Sequence, residues 1–269
     1  MCMMASEVSK VENTRIFASA NEGRTRQCIV YEMAVELKAR TGKGNAMILP
    51  VPGSAADIAL VDLSGLPGFF EPLDELFRER TKGMRSRGGM DHDDLDELEV
   101  HKVGAYDVSI VPTADDVKRL NPEVFELSAA TERTLRTQYP LGYAFIVAQI
   151  RESGAFHPLG YTHALVGGKL FIPTRHEHGH AVRDGLADWD HTIYHQGSKS
   201  LDMVPTDGRY GKARQHKAYE RSANMVLGGI LGGLTVVAPA LAPYIRLDGN
   251  LHPVTAEGSL ANIDLTVPA

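Results

Sequence analysis

The run T-R-I-F-A-S-A-N-E-G-R-T-R-Q-C-I-V-Y-E-M-A-V-E-L, from Thr14 to Leu37, sets the pattern for much of the chain. Its two halves, Thr14–Ala20 and Gln27–Leu37, are rich in β-branched and aromatic residues, and Asn21-Glu22-Gly23 between them supplies turn chemistry. A β-hairpin is expected. Alternation in V-Y-E-M-A-V-E-L places Tyr31, Met33, Val35 and Leu37 on one face of the second strand.

Outward from this hairpin the same signals recur. Gly44–Val51 and Asp57–Leu63 are expected as strands, with P-V-P-G-S turning the chain between them. Leu98–Val103 and Tyr106–Pro112 are expected as a second hairpin around Gly104. Gly142–Ile150 is almost wholly apolar, as in a central strand buried on both faces. Ile263–Val267 is expected as an edge strand.

Helices are fewer. Phe69–Arg80 has Leu73, Leu76, Phe77 and Phe69 or Phe70 on one face at helical spacing. Thr113 with Asp116 three residues later reads as a capping-box variant. Thr131–Tyr139 stops before Pro140, and a polar, basic helix is expected from about Lys212 to Met225. Strands grouped as hairpins with isolated helices predict an α+β fold: a largely antiparallel sheet with a few packed helices, in a single domain spanning 1–269. A basic block and then an acidic one make residues 80–97 a charged loop.

Composition narrows the classes of function. A net charge of −6 argues against a nucleic-acid partner. Two cysteines, Cys2 and Cys28, exclude a disulfide framework, and the N-terminus lacks a secretory pattern. A cytoplasmic, reducing setting is expected. Met225–Ile245 carries no charge and has about the length of a bilayer span. Four glycines and then Pro239 and Pro243 make it a poor continuous helix, so burial in the protein is favoured over membrane insertion.

Chemistry concentrates between His157 and His195, which hold seven of the eleven histidines. In P-T-R-H-E-H-G-H, an extended backbone would point His176, His178 and His180 to one side. Two imidazoles at that spacing can share a divalent transition metal, zinc or iron first, with further ligands from His163 or His191. Glu177 or Asp190 would then move protons in metal-assisted hydrolysis of an unidentified small-molecule substrate. The H-x-H pattern resembles the cupin strand loosely, with Gly168 and Pro173 nearby, but it lacks the downstream glutamate and the second motif.

Two alternatives come from other segments. Cys2, exposed by loss of Met1, would suit an N-terminal-nucleophile amidohydrolase with Arg15 steadying the developing charge. Met225–Ile245 would suit a non-catalytic assembly or membrane-associated protein. The early cysteine, T-R-I-F-A, M-I-L-P-V-P and V-G-A-Y-D-V-S-I-V together resemble an uncharacterised bacterial domain family of unknown function. That resemblance covers roughly the N-terminal half and implies no activity.

Overall fold

The computed structural model describes residues 3–38, 44–77, 101–121, 127–178, 182–183, 185–199, 212–215, 225–247 and 249–269. The strands are β1 Met3–Met4, β2 Val8–Ala20, β3 Arg26–Leu37, β4 Asn45–Pro52, β5 Ala59–Val61, β6 His101–Val103, β7 Tyr106–Val111 and β8 Tyr143–Ile150. They continue with β9 Gly154–Ala155, β10 Leu159–Ala164, β11 Lys169–Ile172, β12 Val182–Arg183, β13 Leu186–His195, β14 Lys212–Gln215, β15 His252–Ala261 and β16 Leu265–Pro268. The helices are α1 Glu71–Phe77, α2 Ala129–Gln138 and α3 Met225–Val237.

The β2–β3 hairpin forms as the sequence predicts, closed by Asn21, whose Oδ1 accepts from the amides of Thr25 and Arg26 at 2.9 and 3.0 Å. It sits inside a nine-stranded sheet ordered β14-β15-β13-β2-β3-β10-β5, with β12 on β13 and β9 on β3. One neighbouring pair, β13 with β2, is parallel. A five-stranded antiparallel sheet runs β1-β4-β8-β7-β6, and β11 pairs with β16. The sheet-rich, mainly antiparallel α+β class is therefore present. Much of it is built from long-range pairings such as β4–β8 and β13–β15 rather than from hairpins alone.

Period-2 alternation then stacks the layers. Ile16, Ile29 and Tyr31 face Met47, Leu49 and Ile146 in a core between the two large sheets. The opposite face of the nine-stranded sheet, with Phe17, Cys28 and Val30, is covered by Phe69, Phe70 and Leu73 around α1 and by Leu231 and Leu234 of α3. The outer face of the five-stranded sheet, with Ile48, Phe145 and Val147, is covered by Leu135 and Tyr139 at α2. Four layers result. This is why β8 is apolar on both faces although its sheet is antiparallel.

Some expectations shift. Gly104 has φ +59°, and a Cβ there would lie 2.2 Å from the His157 ring, so the β6–β7 turn requires glycine. Thr113 caps no helix: its hydroxyl donates to Asp116 Oδ2 at 2.7 Å beside a 3-10 turn. The cap found is Ser128, which accepts from the Thr131 amide at 3.0 Å and starts α2. Lys212–Gln215 is a strand on β15, not the start of a helix, because backbone pairing in the sheet overrides local propensity. Within 225–245 the chain forms α3 and a 3-10 turn at Pro239–Leu241. No helix among the described residues is long and apolar enough to cross a membrane. The charged loop at about 80–97 lies outside the described residues, as do Cys2 and His180.

Candidate functional site

Strand β13 carries two different environments, one on each face. The inner one is assembled by the segment that leaves β11. Asp264 Oδ1 accepts from the amides of Thr174 and Arg175 at 2.9 and 3.0 Å. Asn262 accepts from the His176 amide at 2.7 Å and donates to its carbonyl at 3.0 Å, imitating a strand partner. Glu177 bonds outward: its carbonyl accepts from the Met4 amide at 2.8 Å and its Oε2 from Thr134 at 2.9 Å. With the backbone thus held, His176 meets His178, His191 and Trp189 at ring-centroid distances of 5.8, 5.2 and 5.5 Å.

Several ring nitrogens in this buried cluster have no hydrogen-bond partner. His176 is fully buried and neither ring nitrogen has a hydrogen-bond partner; His178 Nε2 and Trp189 Nε1 are likewise unpartnered. Burial pushes the imidazolium of His176 far down and that of His178 down to about 4, so both rings are neutral near pH 7. An unmade buried hydrogen bond costs about 1–3 kcal/mol, so these nitrogens suit an additional ligand or water.

The other histidines of the stretch have different settings. His157 Nε2 accepts from the Ala105 amide at 2.8 Å, which leaves its Nδ1–H to donate to the Pro158 carbonyl at 3.0 Å. It holds the β6–β7 turn. His163 sits on β10, separated from β13 by β2 and β3, with Nδ1 at 2.9 Å from the Ala164 carbonyl. Burial lowers it to about 4. His195 stacks on His252 at 5.0 Å. Of the four proposed ligands, the fold gathers His176, His178 and His191 and leaves His163 elsewhere. Among the described residues no group of three His, Cys, Asp or Glu is arranged to hold a metal.

The outer face of β13 presents Asp190, Thr192 and Tyr194 to an open cleft of about 760 Å³ between the nine-stranded sheet and α1. Arg15 on β2 lies opposite Glu32 on β3, pairs with it, and also donates to Asp74 of α1 at 2.8 Å. Tyr194 donates to the other Asp74 oxygen at 2.6 Å, and the Arg15 guanidinium lies 5.4 Å from the centre of the Phe70 ring. Burial pushes Glu32 up to about 7 despite the opposing pull of Arg15. Asp190 Oδ2 accepts from the Asn13 amide at 2.6 Å, and burial raises this carboxyl too.

Glu177 and Asp190, expected as proton carriers, are thus parted: one is bound to Thr134 and the other belongs to the outer cleft. Sequence reading passed over Glu32, Asp74 and Tyr194. A cross-strand Arg–Glu pair inside two apolar strands was the available signal.

No family model matches the chain, and no curated protein matches it. Solved structures do. The crystal structure of baculovirus P35 aligns with a TM-score of 0.50 and 14% identity over 97% of both chains. A mutated baculovirus P35 after caspase cleavage aligns at 0.48, with 14% identity over 96% of this chain and 100% of that one. The caspase-8/P35 complex gives 0.39, with 13% identity over 96% of both. At such identity the likeness is one of fold.

Proposed function

We propose that this chain is a protein-binding partner of a caspase-class protease and is itself cut by it. The observation that carries this reading is the likeness of fold to baculovirus P35 from end to end, over 97% of both chains. P35 is a protein seen in complex with caspase-8 and in a form following caspase cleavage. The sequence between α1 and β6 fits a cut segment by its chemistry: G-M-D-H-D-D-L-D-E-L carries Asp91, Asp93, Asp94 and Asp96 within six residues.

The test mixes the purified chain with caspase-8 at equal concentration, follows co-elution on size exclusion, and maps any cut by intact mass. Co-elution with a cut inside 78–100 is expected. The cut disappears when the four aspartates become alanine while thermal melting is unchanged. Free elution of both proteins, with the chain intact under excess protease, refutes the proposal.

A second reading rests on the unpartnered nitrogens of His176 and His178. These two rings, with His191 beside His176, would hold a zinc or iron ion that would supply Lewis-acid or hydrolytic chemistry. Elemental analysis of untagged protein beside a folded His176→Ala/His178→Ala variant decides it. Stoichiometric metal lost in the variant supports the reading, and absence of metal even after reconstitution removes it.

A further inference from the structure

The cleft on the outer face of β13 is chemically one-sided. Its walls carry the carboxylates Glu32, Glu71, Asp74, Glu75, Asp190 and Glu257, contributed by β3, α1, β13 and β15. Arg15 is the one cation among the described residues lining it, and both Glu32 and Asp74 already hold it. Charge alone would make this an ordinary solvated acidic surface.

A second observation separates it from that. Glu32 is only 6% exposed, and its Oε2 has no hydrogen-bond partner although it lines the cleft. Asp190, half-buried across the floor, also leaves Oδ1 unpartnered. As carboxylate oxygens these two atoms accept, so a donor completes them; Thr14 Oγ1 and Arg15 Nε, which line the same cleft, are unpartnered groups that can donate. A volume of about 760 Å³ suits an extended chain segment rather than a bare ion.

We propose that this cleft binds a basic peptide segment of a partner protein, with an arginine guanidinium or lysine ammonium donating to Glu32 Oε2 and Asp190 Oδ1. Arginine is favoured, because its planar fork can serve two carboxylates at once and stack on an aromatic wall. Phe77, part-exposed at the cleft, provides such a wall, backed by the buried Tyr194 ring 5.6 Å behind it. An arriving cation would also offset the burial that holds Glu32 near neutrality. This inference does not depend on the caspase reading: it concerns the cleft between the nine-stranded sheet and α1 and a partner defined by charge.

The experiment is calorimetric titration of the full chain with an N-acetylated, C-amidated tetra-arginine peptide at low salt, with tetra-lysine and tetra-glutamate as comparison peptides. Saturable one-to-one binding of tetra-arginine, weaker binding of tetra-lysine and none of tetra-glutamate are expected. Asp190→Asn and the exposed double variant Glu75→Gln/Glu257→Gln should each weaken tetra-arginine about tenfold, the scale of one or two lost charge contacts.

The same two-charge change Asp115→Asn/Glu132→Gln, at two carboxylates that pair with Arg136 of α2 on the far side of the molecule, should leave it within about twofold. Retained melting temperatures show that each variant is folded. No saturable binding overturns the proposal. So does binding that survives the cleft variants or falls equally with the remote pair, since that is attraction to an anionic protein at large.

Discussion

Two sides of one strand make opposite use of polar residues. On the inner side of β13, Trp189 and His191 join His176 in a buried cluster in which both His176 ring nitrogens and Trp189 Nε1 lack hydrogen-bond partners. On the outer side, Asp190 and Tyr194 join Arg15, Glu32 and Asp74 in an open, charged and largely paired cleft. Burial acts on both, but with opposite sign. It holds the imidazoles neutral by lowering them and holds Glu32 partly protonated by raising it. A buried group resists whichever form is charged, so one physical cause gives two pH responses.

The two faces should differ most in their contribution to stability. Trp189→Ala removes a side chain buried between the sheets and should lower unfolding free energy by about 3–5 kcal/mol in urea denaturation. Glu257→Gln, at an exposed position in the cleft, should stay within about 0.5 kcal/mol. Equal effects would mean that β13 is not covered on its inner face.

The pH responses come next. His178 falls from its ordinary 6.5 to about 4 on folding, so between those values the unfolded chain binds more protons and stability rises with pH. Glu32 rises from 4.5 to about 7, so the folded chain binds more protons there and its contribution falls as pH rises. Each is worth at most about 3 kcal/mol. Melting profiles from pH 4 to 8 should lose part of the acid-side slope in His178→Gln and steepen upward in Glu32→Gln. The same change in both would show that the two faces share one environment.

His176→Leu sharpens the inner side. An apolar side chain replacing a ring with two orphaned nitrogens should raise stability by about 1 kcal/mol in metal-free protein, read by urea titration. A loss instead would show that something in solution completes that ring. The smallest expected effect is at the cleft rim, where Thr192→Ser should change melting by about one degree or less.

Legibility in the sequence differed between the two sides. His176 and His178 were visible as a pair because their spacing is local, and the structure keeps their rings 5.8 Å apart. Trp189 and His191 entered the same cluster through β13, which sequence spacing does not connect to the 173–178 segment. The outer cleft was harder still. Arg15 and Asp74 are 59 residues apart, and the contact exists only because α1 lies on that face of the sheet. Local polarity misled at Lys212–Gln215, where pairing with β15 supplies hydrogen bonds that a helix would have made internally.

Alternation and turn chemistry, both properties of a few neighbouring residues, were enough to establish the hairpins, the apolar β8 and the mainly antiparallel class. They were silent on what covers each apolar face. That was decided by tertiary structure, which set two sheets face to face, put α1 and α3 on one outer side and α2 on the other, and made β13 a boundary. A two-residue period says which side chains point together. Only long-range packing, where loops must close before contacts reward them, says whether that side meets a core, a helix or an open acidic cleft.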